Sequence, residues 1–187
     1  STIATIRADL YRYEAKASFG AFLLRYFRDA CFRYSFWMRL CGHWRGKGIT
    51  RLPLFLLARL RYRHLQYKTG IWISYAAQIG PGLYIGHGVG LVVSGLAVIG
   101  RNCNLSQGVT IGEANRGPRK GAAVIGDNVY IGPGAKIVGK VQIGNDVAIG
   151  ANCVVTKDIP DHAVVVGVPG RVISQEGSAG YVNNTDY

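Results

Sequence analysis

The sequence predicts a mainly β fold, a parallel β-helix wound from short strands and preceded by a short α-helical segment. Three observations predict it. Aliphatic residues recur at every sixth position from Ile79 onward, and most of them are followed directly by glycine. The composition also changes sharply near residue 70, where a basic, aromatic-rich stretch gives way to a glycine-rich one. We therefore read residues 1–69 as a helical segment, 70–175 as the β-helix domain and 176–187 as a C-terminal tail.

The 187 residues suffice for one main domain with a smaller attachment. Residues 1–69 carry 14 basic and 3 acidic side chains against 8 and 7 in the remainder, so nearly all of the net +12 lies in the first third. That third also holds 14 of the 20 aromatic residues, whereas 22 of the 26 glycines follow it. Collagen, which needs glycine at every third position, and a disordered acidic chain are both excluded. Cys31, Cys41, Cys103 and Cys153 form neither a CxxC pair nor a Cys/His cluster, which argues against a zinc module or a disulfide scaffold and for reduced thiols in the cytoplasm. No secretory signal or transmembrane span is expected: the apolar run Leu52–Ala58 is broken by Pro53 and flanked by Arg51 and Arg59, far short of the ~20 residues a spanning helix needs.

Residues 5–17 and 20–41 read as helices, since they lack proline and space apolar groups at three and four residues, as at Phe19, Phe22, Leu23, Tyr26 and Phe27. Ser18 is placed to cap the second, and Gly42 lies just past its end. A third helix is expected from Pro53 to about Tyr67, with Gly70 beyond it.

The repeat then begins. Ile79, Ile85 and Leu91 form one six-residue series, Ile99, Leu105 and Ile111 a second, and Ile125, Ile131, Ile137, Ile143, Ile149 and Val155 a third. Neither helix nor hairpin has a period of six. Glycine tolerates positive φ, so a glycine every six residues marks a corner. Three such sides close a triangular coil, and stacked coils bury the aliphatics in a column. The register breaks by two extra residues after Leu91 and by eight after Ile111. The larger break predicts a loop at about 113–123 that projects outward.

The repeats, together with GLYIGHG at 82–88, SQGVTIG at 106–112, IGPGAKIVG at 131–139 and GVPGRV at 167–172, resemble the hexapeptide-repeat acyltransferases, and in particular the serine acetyltransferase-like family with its short relatives from surface-polysaccharide gene clusters. The resemblance covers residues 70–175 and implies a left-handed helix, a hand that periodicity cannot supply. It also implies an acetyl-CoA-dependent O-acetyltransferase, acting as a homotrimer with each site between neighbouring β-helices.

On this resemblance His87 is the general base that takes the acceptor hydroxyl's proton. Its surroundings suit that role, because Gly86, Gly88 and Gly90 let a substrate approach the ring and a neutral imidazole accepts a proton. Gly134, Ala135 and Ala151 are expected along the pantetheine arm of acetyl-CoA, with Lys157 and Arg171 for its phosphates. No metal is called for. The departures from the family matter equally: where serine acetyltransferases carry an aspartate one coil before the base and another immediately preceding it, this chain has Trp72 and Gly86, and Ala122 and Ala123 stand where their loop has histidine and proline. Ser74, Tyr75, Glu113 and Asn115 are then candidates to orient the base or meet the acceptor, with Arg116 and Arg119 for an acceptor carboxylate. A saccharide of a surface polysaccharide or its lipid-linked precursor is the expected acceptor, L-serine the alternative, and a non-enzymatic binding or scaffold role the remote third.

Other motifs weigh less. Gly134-x4-Gly139-Lys140 imitates a phosphate loop, but Val141 replaces the hydroxyl residue and Ile137 belongs to the repeat. Leu91 spoils a dinucleotide fingerprint. A carbonic-anhydrase-like metal site would need several histidines where the coils offer His87 alone, His162 reading as part of a C-terminal cap. The basic N-terminal segment reads as a packing arm with a solvated face, or as a surface for a lipid-linked glycan or an anionic membrane at the inner face of the bilayer; nothing resembles a nucleic-acid module.

Overall fold

The computed structural model describes residues 1–187. Four helices come first: α1 (Thr2–Glu14), α2 (Phe19–Arg28), α3 (Ala30–Trp44) and α4 (Leu52–Thr69). Ser18 caps α2 by accepting from the Ala21 amide. The single helix expected over 20–41 is two helices, because Asp29 leaves the helical region and its carboxylate accepts from the Cys31 and Phe32 amides, starting α3. That helix also runs through Gly42 to Trp44 rather than stopping before it.

The remainder is coiled. β1 (Trp72–Ile73), β2 (Gln78–Ile79) and β3 (Tyr84–Ile85) make the first turn; β4 (Val92–Val93), β5 (Val98–Ile99) and β6 (Asn104–Leu105) make the second. β7 (Thr110–Gly112), β8 (Val124–Ile125) and β9 (Tyr130–Ile131) make the third, and β10 (Lys136–Val138), β11 (Gln142–Ile143) and β12 (Ala148–Ile149) the fourth. β13 (Val154–Val155) and β14 (Val164–Val166) close the series, and β15 (Arg171–Ser174) folds back antiparallel on β14. Every third strand pairs in parallel through β13, and β14 pairs with β12 because only a single bridge at Ile159 continues the second face; the three sheets are β1-β4-β7-β10-β13, β2-β5-β8-β11 and β3-β6-β9-β12-β14.

The repeat aliphatics fill the axis. Ile85, Leu91, Ile111, Ile131, Ile137 and Ile149 are fully enclosed, and Ile99, Leu105, Ile125, Ile143 and Val155 nearly so. Ile79, expected inside with them, is only half-buried, because it sits on the first coil where the stack begins. Each enclosed side chain contributes about 1.5–3 kcal/mol.

That first coil has no coil beneath it, so one row of its backbone groups would be an open edge. Helix side chains take the place of the missing strands. The Tyr34 phenol accepts from the Ile73 N–H and donates to the Ile73 carbonyl, both at 3.0 Å, and Tyr62 donates to the same carbonyl. On the second face Arg39 donates to the Ile79 and Gly80 carbonyls while Asp9 grips its guanidinium through both oxygens. On the third, Asp9 accepts from the Leu83 amide, Arg12 donates to the Gly82 carbonyl and Tyr13 engages both groups of Ile85. The aromatic, basic composition of the first third is thus the chemistry of a solenoid cap.

The tail returns along the outside. Ser178 bonds Asp146 and Asn128, Tyr181 stacks on Tyr130 with ring centroids 4.5 Å apart, and the Asn183 carbonyl accepts from Arg12. It straps the fourth coil to α1.

Residues 113–123 do not project as one loop. Ala114 and Gly121 exchange backbone hydrogen bonds to form a narrow hairpin, and Ala122 and Ala123 are already buried in the coil. Small side chains let those two turn inward.

Candidate active site

His87 lies two residues beyond β3, at the corner where the third face turns into the first. Its ring is exposed. The corner beneath it is fixed: Tyr13 pins Ile85, a Cβ on Gly88 would run into the Ile71 side chain at 2.3 Å, and the Gly90 amide donates to the Gly70 carbonyl. Rigid neighbours and a free ring suit a group that must meet substrate.

The same corner recurs once per coil, about 4.8 Å apart along the axis. Gly90, Gly108 and Gly134 stack there, all with positive φ, followed by Asn152 in the same conformation. The backbones approach so closely that a Cβ on Gly108 would lie 3.5 Å from the Gly134 Cα, and one on Gly134 would meet the Asn152 side chain at 2.1 Å. The column is a stripe of bare main chain running from the histidine corner toward the C-terminal end. Such a stripe suits a slender chain lying against backbone.

Ala151 is exposed beside Asn152 on this corner, three coils from His87 and so roughly 15 Å away. The Gly167–Gly170 turn packs over Val154, placing Arg171, also exposed, beyond the same end. Ala135 turns its methyl into the core with no exposed surface, and its N–H and C=O bond to Gly132 and Thr110. Its side chain cannot line a groove. Lys157 is exposed at the neighbouring corner, past β13.

The candidates for orienting the base are not gathered around it. Ser74 and Tyr75 follow β1, and Glu113 follows β7, so all three occupy the corner at the far end of the first face. The Ser74 hydroxyl accepts from the Ala76 amide, Tyr75 packs edge-on against Tyr62 and Phe55, and Glu113 accepts from Ser94. Asn115 and Arg116 sit exposed on the hairpin. Arg119 is committed elsewhere, gripping Asp158 at 2.6 Å and the Lys140 carbonyl at 3.2 Å. A strand and its corner separate this group from His87 within one chain.

Beside the histidine corner Trp72, which the sequence marks only as a departure from the family, forms a wall. It is 43% exposed, its amide donates to the Leu91 carbonyl, and its ring meets Tyr67 edge-on with centroids 5.4 Å apart. Trp72, Tyr67, Tyr75, Gln66, Arg59 and Arg63 line a cleft of about 380 Å³ between α4 and the first face. Only the packing of α4 reveals it, since residues 59–67 carry no motif. Of the thiols, burial pushes Cys31 up to about 11 and Cys41 and Cys103 up to about 12, which leaves none of these three as a nucleophile at neutral pH.

The family described as "Bacterial transferase hexapeptide (six repeats)" matches residues 122–157. A serine acetyltransferase of Synechococcus elongatus is 40% identical over 136 residues, 73% of this chain and 54% of that protein. One of Bacillus pumilus is 37% identical over 153 residues, 82% of this chain and 70% of that protein. The chain thus spans little more than half the length of the first relative and about two thirds of the second. Among solved structures, Neisseria gonorrhoeae serine acetyltransferase in complex with serine superposes with a TM-score of 0.76 at 30% identity, covering 92% of this chain and 69% of that one. A serine acetyltransferase in complex with CoA gives 0.70 at 28% identity, covering 91% and 68%.

Proposed function

Because the chain belongs to the serine acetyltransferase-like family of hexapeptide-repeat transferases, we propose that it is an acetyl-CoA-dependent O-acetyltransferase with His87 as general base. The observation that carries this reading is the exposed imidazole at the head of a side-chain-free stripe of corners. In the reaction His87 accepts the hydroxyl proton as the acceptor oxygen bonds to the acetyl carbon. The carbon–sulfur bond then breaks, and the same imidazole returns the proton to the departing thiolate. Gly108 and Gly134 offer bare backbone to the pantetheine arm, with Ala151 beside it and Arg171 for the nucleotide phosphates.

For the acceptor, the relatives favour L-serine over the saccharide expected from the sequence, since the named proteins are serine acetyltransferases and one is solved with serine. A second reading retains a saccharide hydroxyl. It rests on Trp72, an exposed indole in the position where the family's first aspartate is expected, with Gly86 in place of the second. An indole face meets a sugar ring and offers nothing to an ammonium–carboxylate pair buried without counter-charges.

We also propose a homotrimer. What supports it is the separation of His87 from Ser74 and Glu113 within one chain, which a neighbouring copy would remove by setting its first-face corner against the histidine corner. Peripheral contact with an anionic membrane is supported by exposed Phe19 and Phe27 on α2 and by leucines on α4 beside arginines. No helix is long and apolar enough to cross a membrane.

The deciding experiment measures thiol release from acetyl-CoA with L-serine and, separately, with oligosaccharides of surface glycans. Saturable acetylation of serine supports the first acceptor, acetylation of a glycan alone supports the second, and no acetyl transfer to either class overturns the O-acetyltransferase reading.

A further inference from the structure

The cleft between α4 and β1 has a consistent chemistry that the transfer reaction itself does not need. Tyr67 is 66% exposed and Trp72 43%, and their rings stand at 88°, making an open aromatic corner. Two large rings held in water serve no core. They offer one flat apolar face and one edge, which matches a ring with an aliphatic C–H face and polar rim.

The charge beside this corner is unopposed. Arg59 and Arg63 are one turn apart on α4, share a face and make no ion pair. Arg63 lies 5.9 Å from the Tyr67 ring centroid with its Nη2 3.5 Å from the phenol oxygen, so it is held at the rim. No acidic residue occurs anywhere between Asp29 and Glu113. Gln66 adds an amide that already donates to the Tyr62 phenol and leaves its oxygen free to accept from hydroxyls. The 380 Å³ falls within the range of small-molecule sites. Through the Trp72–Leu91 hydrogen bond the wall is joined to the turn that carries His87.

We propose that this cleft binds an anionic sugar unit of the acceptor, the ring stacked on Trp72 or Tyr67 and its carboxylate or phosphate held by Arg59 and Arg63. The proposal rests on the saccharide reading of the acceptor and extends it to a substrate class, a sugar bearing a negative charge. Guanidinium groups recognise carboxylate and phosphate through the same paired hydrogen bonds, so either source of charge fits.

The test is direct binding, without turnover, by calorimetry, with the change in tryptophan emission as a second readout in proteins that keep Trp72. The probes are a hexuronic acid disaccharide, a hexose 1-phosphate and the same disaccharide with its carboxyls reduced. The charged probes should bind saturably, with one preferred according to the natural acceptor. The reduced disaccharide should bind on the order of tenfold more weakly, as should the charged probes to Arg59→Ala/Arg63→Ala and to Trp72→Ala. Trp72→Phe, which keeps a ring, should retain most of the affinity and guards against a folding artefact in the alanine variant. Saturating CoA should leave binding unchanged, because its groove runs toward the other end of the coil. Unaltered affinity in the variants, equal binding of the reduced sugar, or displacement by CoA would overturn the proposal. If no charged sugar binds while serine is acetylated normally, the cleft assignment fails and the O-acetyltransferase reading stands. Sugar binding without any acetyl transfer does the opposite: the cleft assignment stands and the O-acetyltransferase reading fails.

Discussion

The Tyr13 phenol accepts a hydrogen bond from the Ile85 amide at 2.9 Å and donates one to the Ile85 carbonyl at 3.1 Å. One helix side chain thereby supplies both halves of the pairing that another strand would make, two residues before His87. Tyr13→Phe deletes both bonds and leaves two buried backbone groups without partners, at about 1–3 kcal/mol for each. We expect urea unfolding to show a loss of roughly 2–6 kcal/mol. Activity should fall as well, since the histidine corner loses its anchor; an unchanged unfolding midpoint would remove Tyr13 from the cap.

His87→Ala should lower kcat by a factor on the order of 10² to 10⁴, the range for losing a positioned base, with acetyl-CoA affinity nearly unchanged. The residue is exposed and its side chain makes no hydrogen bond or ion pair, so stability should hardly move. Near-normal turnover in a folded variant assigns the proton transfer to another group.

Much of the β-helix is legible in the sequence because its period is imposed by geometry: one aliphatic per side and one tight corner per side leave little freedom. His87 is legible for the same reason, standing at a corner whose neighbours are glycines. The helical cap is not. Tyr13, Tyr34, Asp9 and Arg39 occupy unremarkable helix positions, and their role appears only when the open edge of the first coil is laid against them. Ala135 is a converse case: it shares a segment with the glycine stripe, yet its methyl faces the core because side chains alternate along each side. The Trp72 cleft joins residues from a helix and a strand, and no local pattern encodes such a meeting.

The thiols offer a check on direct transfer. With Cys31 pushed up to about 11, thiolate at pH 8 is about one part in a thousand, and for Cys41 and Cys103, pushed up to about 12, less still. Iodoacetamide at pH 8 should therefore leave activity intact, and labelling should follow only on unfolding. Rapid inactivation with loss of one thiol would point to a covalent cysteine step.

The Arg119–Asp158 pair ties the hairpin to the coil after β13. The hydrogen bond from Arg119, aided by the Gln142 amide, holds the Asp158 carboxyl below the usual range. A depressed carboxyl pKa stabilises the fold above the unfolded value, about 3.9, and that contribution disappears as pH falls through the lower folded value. Hairpin amides near Arg119 should thus lose protection, judged against the intrinsic exchange rate at each pH, on acidification below about pH 4, while Arg119→Ala shows the lower protection already at neutral pH. Exchange rates in the variant equal to those of the parent at pH 7 would show that the backbone bonds of Ala114 and Gly121 suffice.

All three acidic side chains of the first 69 residues are paired internally, Asp9 with Arg39 and both Glu14 and Asp29 with Arg25. Arg12 is buried in the cap, and the remaining cations make no ion pair with an acidic side chain. Among them Phe19 and Phe27 project from α2 at 76% and 70% exposure, and Leu56, Leu57 and Leu60 are exposed on α4. Apolar groups that enter a headgroup layer and cations that meet its charge act together, each basic residue contributing roughly 1 kcal/mol near an anionic surface. The protein should sediment with vesicles containing phosphatidylserine and remain in solution with phosphatidylcholine alone. Raising salt to about 1 M, where the Debye length is about 3 Å, should release most of it. Phe19→Ser/Phe27→Ser should weaken vesicle binding without altering transfer to a soluble acceptor, because both rings are exposed and neither lines the α4 cleft or the glycine stripe. Equal partition onto neutral and anionic vesicles, or none onto either, would assign the exposed leucines and phenylalanines to a contact with protein.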